Sequence, residues 1–532
     1  MTTLAERADS VATSLTRLAR AGRRASWAGV LVGAGSAGAL CAAAFAPLQV
    51  PAAPVLGTTA LLVVLRTATV REATIAAATG VAALFAATFL VPTLWWMRVV
   101  SDGAFVGLVV AQILLVSVSV LTVRLVLVLR WWPVWVPAAW VLSEWVRGSI
   151  PFGGFPWARL GYSALDTPLE SYVRIVGVPA MSALVVALAS ALTFALGHRT
   201  RTAVVASAAA VLATVSLGAV LPTGPAGATG SKQIAVVQGD VPVLFEPWPR
   251  GRVLEMHLEA TRRLARAVAA GTQPAPDLVL WPENSLDTDP LVSGVTGSRL
   301  SAAATEVGAP ILVGAILDGP TDATARNAGI AWTPDGPGGI YLKQNLVPFG
   351  EYVPFRQALG NIVPRFDRDV PRDMVPGTTS NVVDLGGVSV GDMLCWDVAH
   401  DDVVRDLISA GAQLLVVQTS NASFTGTAQP AQQWQISRLR AIEAGRDVAV
   451  PSTNGISGVI DAHGDVIARA PTQRPAYLSL SVTLAEGVTP AVRWGGLIQG
   501  LLVAAGAAGV ALTPLTRRSE RRRQTASGNI YG

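Results

Sequence analysis

Seven apolar runs fill the first 221 residues, near Trp27–Ala46, Pro54–Leu65, Ala73–Leu94, Ala104–Leu129, Trp131–Val146, Gly177–Leu196 and Ala203–Leu221, and an eighth lies near Gly495–Leu515. Most approach the roughly 20 residues that a helix needs to cross hydrocarbon. The second is short, and the fourth and fifth nearly abut. More apolar runs follow the first at once, so it reads as a span and not as a signal peptide. Between runs seven and eight the period changes. Gln233–Gln238, Leu278–Trp281, Pro310–Ile316, Asn327–Trp332, Val388–Leu394, Leu414–Gln418, Asp447–Pro451 and Gly458–Asp461 read as strands. Val253–Ala270, Leu300–Val307, Val403–Ala410 and Gln432–Ala444 read as helices. Strands alternating with helices imply a layered α/β domain.

The predicted organisation is a polytopic α-helical membrane domain of about eight transmembrane helices plus one α/β domain. A basic tail spans 1–26, seven helices lie in 27–221, and a Pro/Gly/Thr linker spans 222–232. The α/β domain spans 233–490, the eighth helix 495–515, and a second basic tail 516–532. No internal repeat is evident.

Composition agrees with this division. Of 532 residues, 51% are hydrophobic and only 14% charged, against roughly 25% charged in soluble domains. The net charge of +5 comes from the arginines of the two tails, which suits a membrane surface and argues against nucleic acid as a partner. Arginines in the N-terminal tail, in alternate short loops (Arg66 and Arg71, Arg124 and Arg130, Arg199 and Arg201) and in the C-terminal tail fall on one side of an eight-span chain. The positive-inside rule makes that side cytoplasmic and puts the α/β domain outside the cytoplasm. Arg147 and Arg159 break the rule. Two cysteines, one in an apolar run, exclude a disulfide framework.

Of the 40 Lys+Arg residues, all but Lys232 and Lys343 are arginine. Within the α/β domain Cys395 is the one cysteine and Lys343 the one lysine. Cys395 follows a strand and precedes a helix, an elbow that exposes a nucleophile. Glu283 ends a strand behind Trp281-Pro282, and Lys343 ends Gly-Ile-Tyr-Leu ahead of a loop that carries Glu351. A thiol, a carboxylate and a compact ammonium suffice for covalent acyl transfer. The plainer reading is a buried structural cysteine and a salt bridge, with Glu351 paired to Arg356. Cys41 reads as a small apolar residue in its helix. His400 with Asp401 and Asp402 resembles a metal set, but acids at a helix start explain it. No metal or other cofactor is expected.

Trp281-Pro282-Glu283, Lys343 with Leu-Val-Pro-Phe-Gly-Glu-Tyr-Val-Pro-Phe after it, and Cys395 resemble the nitrilase (carbon–nitrogen hydrolase) superfamily. Within it the chain is similar to the bacterial apolipoprotein N-acyltransferases over nearly its whole length. Gly154-Phe155-Pro156-Trp157, Gly161-Tyr162-Ser163, Val237-Gln238-Gly239-Asp240, Thr419-Ser420-Asn421-Ala422, the block Gln435–Glu443 and Ser452–Ser457 extend the likeness. The resemblance implies an αββα sandwich. It also implies roles: Glu283 as general base, Lys343 as oxyanion partner, Cys395 as nucleophile, and Glu351 as a second essential glutamate. Trp248, Asn327, Trp396 and Asp397 follow as supporting or substrate-side residues. The family commonly has Cys-Tyr-Glu where this chain has Cys395-Trp396-Asp397, and Asn421–Gly426 is thinned relative to the family stretch. Some relatives carry a fused glycosyltransferase domain, which these residues are not expected to contain.

The implied reaction moves an acyl chain from a phospholipid, through a Cys395 thioester, to the α-amine of a diacylglyceryl-cysteine apolipoprotein. The alternative is a membrane-tethered amidase or nitrilase acting on a small nitrogen compound, since water and an amine attack the same thioester. The loop from Lys343 to Phe355, with the arm around Trp248, is expected to form an apolar lid through Leu346, Val347, Phe349, Tyr352, Val353 and Phe355.

Overall fold

A computed structural model describes residues 25–197, 200–241, 251–359 and 365–528. They form two compact units, 1–221 with 494–532 and 222–493.

The first unit is helical. Each of the eight apolar runs contains a helix: Trp27–Ala42, Ala53–Arg66, Ile75–Thr93, Asp102–Val126, Trp132–Ser149, Val173–Gly197, Arg201–Val220 and Pro490–Gly528. Five segments among the described residues are long and apolar enough to cross a membrane. Trp27–Ala42 and Ala53–Arg66 are shorter apolar helices, and Trp132–Ser149 carries Glu144 and Arg147. Small residues let the first helices approach closely. A Cβ on Gly57 would sit 2.8 Å from Cys41 Sγ. Cys41 is fully buried there, a packing residue as expected.

Arg147, one of the two arginines that break the charge rule, has a structural explanation. Arg147 is buried and donates to the Trp157 carbonyl at 2.7 Å and to the Phe155 carbonyl at 3.3 Å. Glu144 Oε1 accepts from Trp140 Nε1 at 2.9 Å and from Leu160 N at 3.1 Å. Arg147 satisfies carbonyls of the Gly-Phe-Pro-Trp segment and Glu144 the N–H of Leu160 just after it, backbone groups whose irregular path leaves them without helical partners. Trp157 packs edge-on to Trp96. The segment is a buried plug, not an open loop.

The second unit is a four-layer αββα sandwich. Its strands are β1 (Ala228–Gln238), β2 (Leu278–Leu280), β3 (Ile311–Asp318), β4 (Thr324–Thr333), β5 (Gly336–Leu342), β6 (Asp373–Met374), β7 (Val383–Leu385), β8 (Val388–Leu394), β9 (Leu414–Gln418), β10 (Val448–Val450), β11 (Gly458–Ile460), β12 (Val466–Arg469) and β13 (Ala476–Ala485). One sheet runs β13-β1-β2-β3-β4-β5 with β6 beside β4, and the other runs β12-β11-β10-β9-β8-β7. Each has a parallel centre, β1-β2-β3 and β8-β9-β10, with antiparallel flanks.

Helices Arg252–Ala269 and Gly294–Val307 cover the first sheet, with Leu254, Leu258, Leu264, Leu300 and Ala304 packed on Ala235, Val279, Ile311 and Ile330. Helices Asp401–Ser409 and Gln429–Ala444 cover the second. Asp401 and Asp402 open a helix as expected, and Asp401 also pairs with the buried Arg440 at 2.8 Å.

Several bounds differ from expectation. β1 begins within the expected linker because residues 228–232 already pair with β13. Helix Gly294–Val307 begins six residues earlier than its apolar period shows, capped by Ser293, whose hydroxyl accepts from Thr296 N.

Candidate active site

Two parallel strands, β2 and β8, and the antiparallel β5 bring the candidate side chains to the points where they end. β2 ends at Leu280, and Pro282 then takes the chain out of the ladder, leaving Glu283 buried beyond the sheet. Gly314 on the neighbouring β3 makes this possible: a Cβ there would overlap the Pro282 carbonyl and Glu283 Cα. β5 ends one residue before Lys343, whose backbone N–H donates to the Asn327 carbonyl at 2.9 Å. β8 runs into Cys395, which adopts a left-handed backbone with φ 51°. That conformation is costly for a residue with a side chain and marks a tight, over-determined turn.

These side chains form one buried ionic cluster. Lys343 Nζ donates to Glu283 Oε1 at 3.1 Å and to Glu351 Oε1 at 2.8 Å. Asn327 Nδ2 donates to the same two oxygens at 2.8 and 3.1 Å. Glu283 Oε2 accepts from the backbone N–H of Ser420 at 3.0 Å, and Glu351 Oε2 from that of Val347 at 2.7 Å. Every carboxylate oxygen is thus engaged, as burial of charge requires. Arg356 does not compete for Glu351; it binds Asp373 and Asp367 instead.

Burial alone would push the Lys343 ammonium down. Glu283 and Glu351, helped by Cys395 and Asp397, reverse this and hold it well above the usual lysine range. Burial pushes the Cys395 thiol up to about 12; Glu283 and Glu351 add to the rise, and Lys343 and the Thr419 hydroxyl oppose it. At neutral pH that favours the thiol over the thiolate.

Asp397 is fully buried, and both its carboxyl oxygens are held by protein donors. Its Oδ2 accepts from Tyr341 Oη at 2.9 Å and Leu394 N at 3.2 Å, and its Oδ1 from Asn345 N at 2.9 Å. It ties the Cys395 turn to the Lys343 loop. Burial, opposed by Lys343 and these donors, raises its carboxyl to about 6. Trp396 is half-buried, edge-on to His400.

Two model descriptions match the chain: Apolipoprotein N-acyltransferase N-terminal domain over residues 37–191, and Carbon-nitrogen hydrolase over 233–487. An apolipoprotein N-acyltransferase of Mycolicibacterium smegmatis is 37% identical over 472 residues, 84% of this chain and 78% of the relative. The chain belongs to the apolipoprotein N-acyltransferase family. A family member from Methylococcus capsulatus is 30% identical over 378 residues, 69% of this chain and 72% of its own. Among solved structures, an amidase from Nesterenkonia sp. aligns at TM-score 0.34 and 22% identity, over 49% of this chain and 92% of its own. Family and apolar helices together make this a bacterial membrane protein with a nitrilase-superfamily fold.

The structure brings Glu283, Lys343, Cys395, Glu351 and Asn327 together and sets Trp396 and Asp397 beside them. Trp248 lies outside the described residues. In the expected lid, Phe355 is 73% exposed and Phe349 41%. Val353, by contrast, is buried, because its backbone is drawn in by Asp373.

Sequence reasoning missed Gln433 and Arg440. Gln433 Nε2 donates to the Cys395 carbonyl at 3.0 Å. Arg440 is fully buried and donates to the Val398 carbonyl at 2.9 Å and the Ala399 carbonyl at 3.2 Å. Both hold the nucleophile turn from the helix behind it. The amide-rich stretch Gln429–Gln435, unusually polar for a covered helix, is the signal for Gln433, and the block Gln435–Glu443 of the family likeness contains Arg440 without singling it out.

Proposed function

We propose that this chain N-acylates lipoproteins by a ping-pong reaction on a Glu283, Lys343, Cys395 triad. The observation that carries the reading is a buried ammonium shared by two carboxylates beside a thiol on a left-handed turn. As the Cys395 sulfur attacks the ester carbonyl of a phospholipid, Glu283 takes the thiol proton. Lys343 Nζ and the N–H groups of the turn after Cys395 hold the negative oxygen of the tetrahedral state. The C–O bond breaks, the proton passes to the leaving alkoxide, and a lysophospholipid departs. The thioester then meets the α-amine of a diacylglyceryl-cysteine. Glu283 takes the amine proton, the amide bond forms, and the C–S bond breaks to restore the thiol.

Glu351 and Asn327 act by holding Glu283 and Lys343 in place. Family membership favours an amine acceptor over the hydrolysis of a small nitrogen compound. Arginine placement supports a multi-pass protein in the cell membrane with its catalytic unit outside the cytoplasm. Mass spectrometry of the purified protein mixed with phospholipid tests the first half-reaction. A long acyl adduct on Cys395, discharged by a diacylglyceryl-cysteine peptide, is the expected result. Turnover of that peptide with no such adduct overturns the covalent route.

A further inference from the structure

Asp392 is a titratable group that this chemistry does not use. It lies on β8, three residues before Cys395, and is fully buried. Neither of its carboxyl oxygens has a hydrogen-bond partner of normal geometry among the described residues. Gln418 Oε1, at the end of β9, is also buried without one. Both groups crowd the same point. A Cβ on Gly329 of β4 would overlap Asp392 Oδ2 and sit 2.7 Å from Gln418 Oε1. The two side chains meet between the sheets in the space that glycine leaves.

Acceptor oxygens buried close to each other are unfavourable unless a donor lies between them. Turning the Gln418 amide over would not supply one without loss. Its Nε2 already donates to the Trp281 carbonyl at 2.7 Å, and the exchange would set oxygen against oxygen there. A proton on the carboxyl supplies the donor and leaves that bond intact.

We propose that Asp392 is held as a neutral carboxylic acid donating to Gln418 Oε1, and that this relay through Gln418 to the Trp281 carbonyl positions Glu283. Trp281 is two residues before Glu283, with the rigid Pro282 between them, so the anchored carbonyl fixes where the carboxylate emerges. Asp392 is a positioning residue and touches no substrate.

The charged and titratable surroundings favour the same state. Facing Asp392 are Asp397 from the turn after β8, Glu283 from the end of β2 and Tyr341 from β5. Burial first, then Asp397 and Glu283, hold its carboxyl well above the usual range, outweighing the Met393 N–H. Ionised, it would add another negative charge to Glu283, Glu351 and Asp397 around one ammonium.

The inference rests on Glu283 acting in the reaction, and the tests separate the two. The full chain in nanodiscs is compared with Asp392→Asn by infrared difference spectroscopy at neutral pH. A protonated-carboxyl C=O stretch lost in the variant is expected; a carboxylate band lost in its place overturns the assignment, whatever Glu283 does. Activity gives the second arm. Asp392→Asn keeps a donor for Gln418 and should stay within about threefold of the parent, whereas Asp392→Leu should lose about tenfold or more. A folded Asp392→Asn as inactive as Asp392→Leu overturns the relay. Full activity in Glu283→Gln would instead sink the catalytic reading while leaving the infrared band in place.

Discussion

Asp397 Oδ1 receives two hydrogen bonds from one residue, Asn345, through its backbone N–H at 2.9 Å and its side-chain Nδ2 at 3.2 Å. With its bonds to Leu394 N and Tyr341 Oη, this makes Asp397 a direct brace between the Cys395 turn and the Lys343 loop. Asp397→Asn should break it. An amide has one acceptor oxygen, and its NH₂ would face Tyr341 Oη and Leu394 N or the two Asn345 donors. Each stranded donor costs about 1–3 kcal/mol. A fall in melting temperature together with a loss of acyl transfer is expected; an unchanged melting temperature would remove Asp397 from its bracing role.

Cys395→Ala should abolish both transfer and the acyl adduct, because it removes the nucleophile and little volume. Cys395→Ser should also be inactive, since a hydroxyl is harder to deprotonate than the thiol it replaces. Cys41→Ala should leave the adduct intact. Peptide mapping of the acylated protein reads all three variants.

Lys343→Arg should fail almost as badly as Lys343→Ala, with kcat/KM down by about 100-fold or more. The guanidinium is planar and longer, and cannot occupy the point between Glu283 and Glu351. Kinetics on both variants decide this, with substantial recovery by arginine as the result that rejects a specific placement.

His257 gives a pH-dependent stability. It is fully buried beside Trp281, with Nδ1 2.8 Å from the Val253 carbonyl. Burial, countered by that carbonyl, pushes it down to about 4 from 6.5. Between those values the unfolded chain binds the proton and the folded one does not. The contribution is therefore complete above about 6.5 and declines by up to about 3 kcal/mol as pH falls to 4. Asp397, raised from 3.8 to about 6, works in the opposite sense, because the folded state holds that proton longer. The difference between the parent chain and His257→Gln cancels the Asp397 effect. Thermal midpoints of the two proteins should converge as pH falls from 7 to 4.

A spin label at Phe349 should report lipid access that changes when phospholipid donor is added to nanodiscs. Phe349 is half-exposed and stacks on Phe366 with centroids 5.8 Å apart. Constant accessibility with and without donor would leave the Lys343–Phe355 loop a fixed wall and not a lid.

Much of the candidate site was legible because its members stand out against their background. One lysine in an arginine-rich chain and one cysteine in its domain are visible without any fold. Glu351 and Asn327 needed the family likeness. Asp392, Gln433 and Arg440 escaped because a buried polar residue in a covered strand or helix looks, in sequence, like any solvent-facing one. Their burial depends on which sheet or turn lies opposite, and local pattern does not carry that. β5 (GPGGIYL) hides behind glycines. β13 (AYLSLSVTLA) alternates as a half-buried strand should, yet the expected strands stop at Asp461. The first-unit helices followed directly from apolar runs, because hydrocarbon imposes one rule on every residue in it.

One ammonium held between two glutamates leaves that corner of the protein with surplus negative charge. A phosphodiester brought there would be repelled through a poorly screened interior. The neutral ester carbonyl is the part of a phospholipid that the cluster can admit. The donor is therefore expected to arrive glycerol-ester end first, its anionic headgroup left in water, and selection among headgroups becomes a matter for the rim of the opening and not for the catalytic residues.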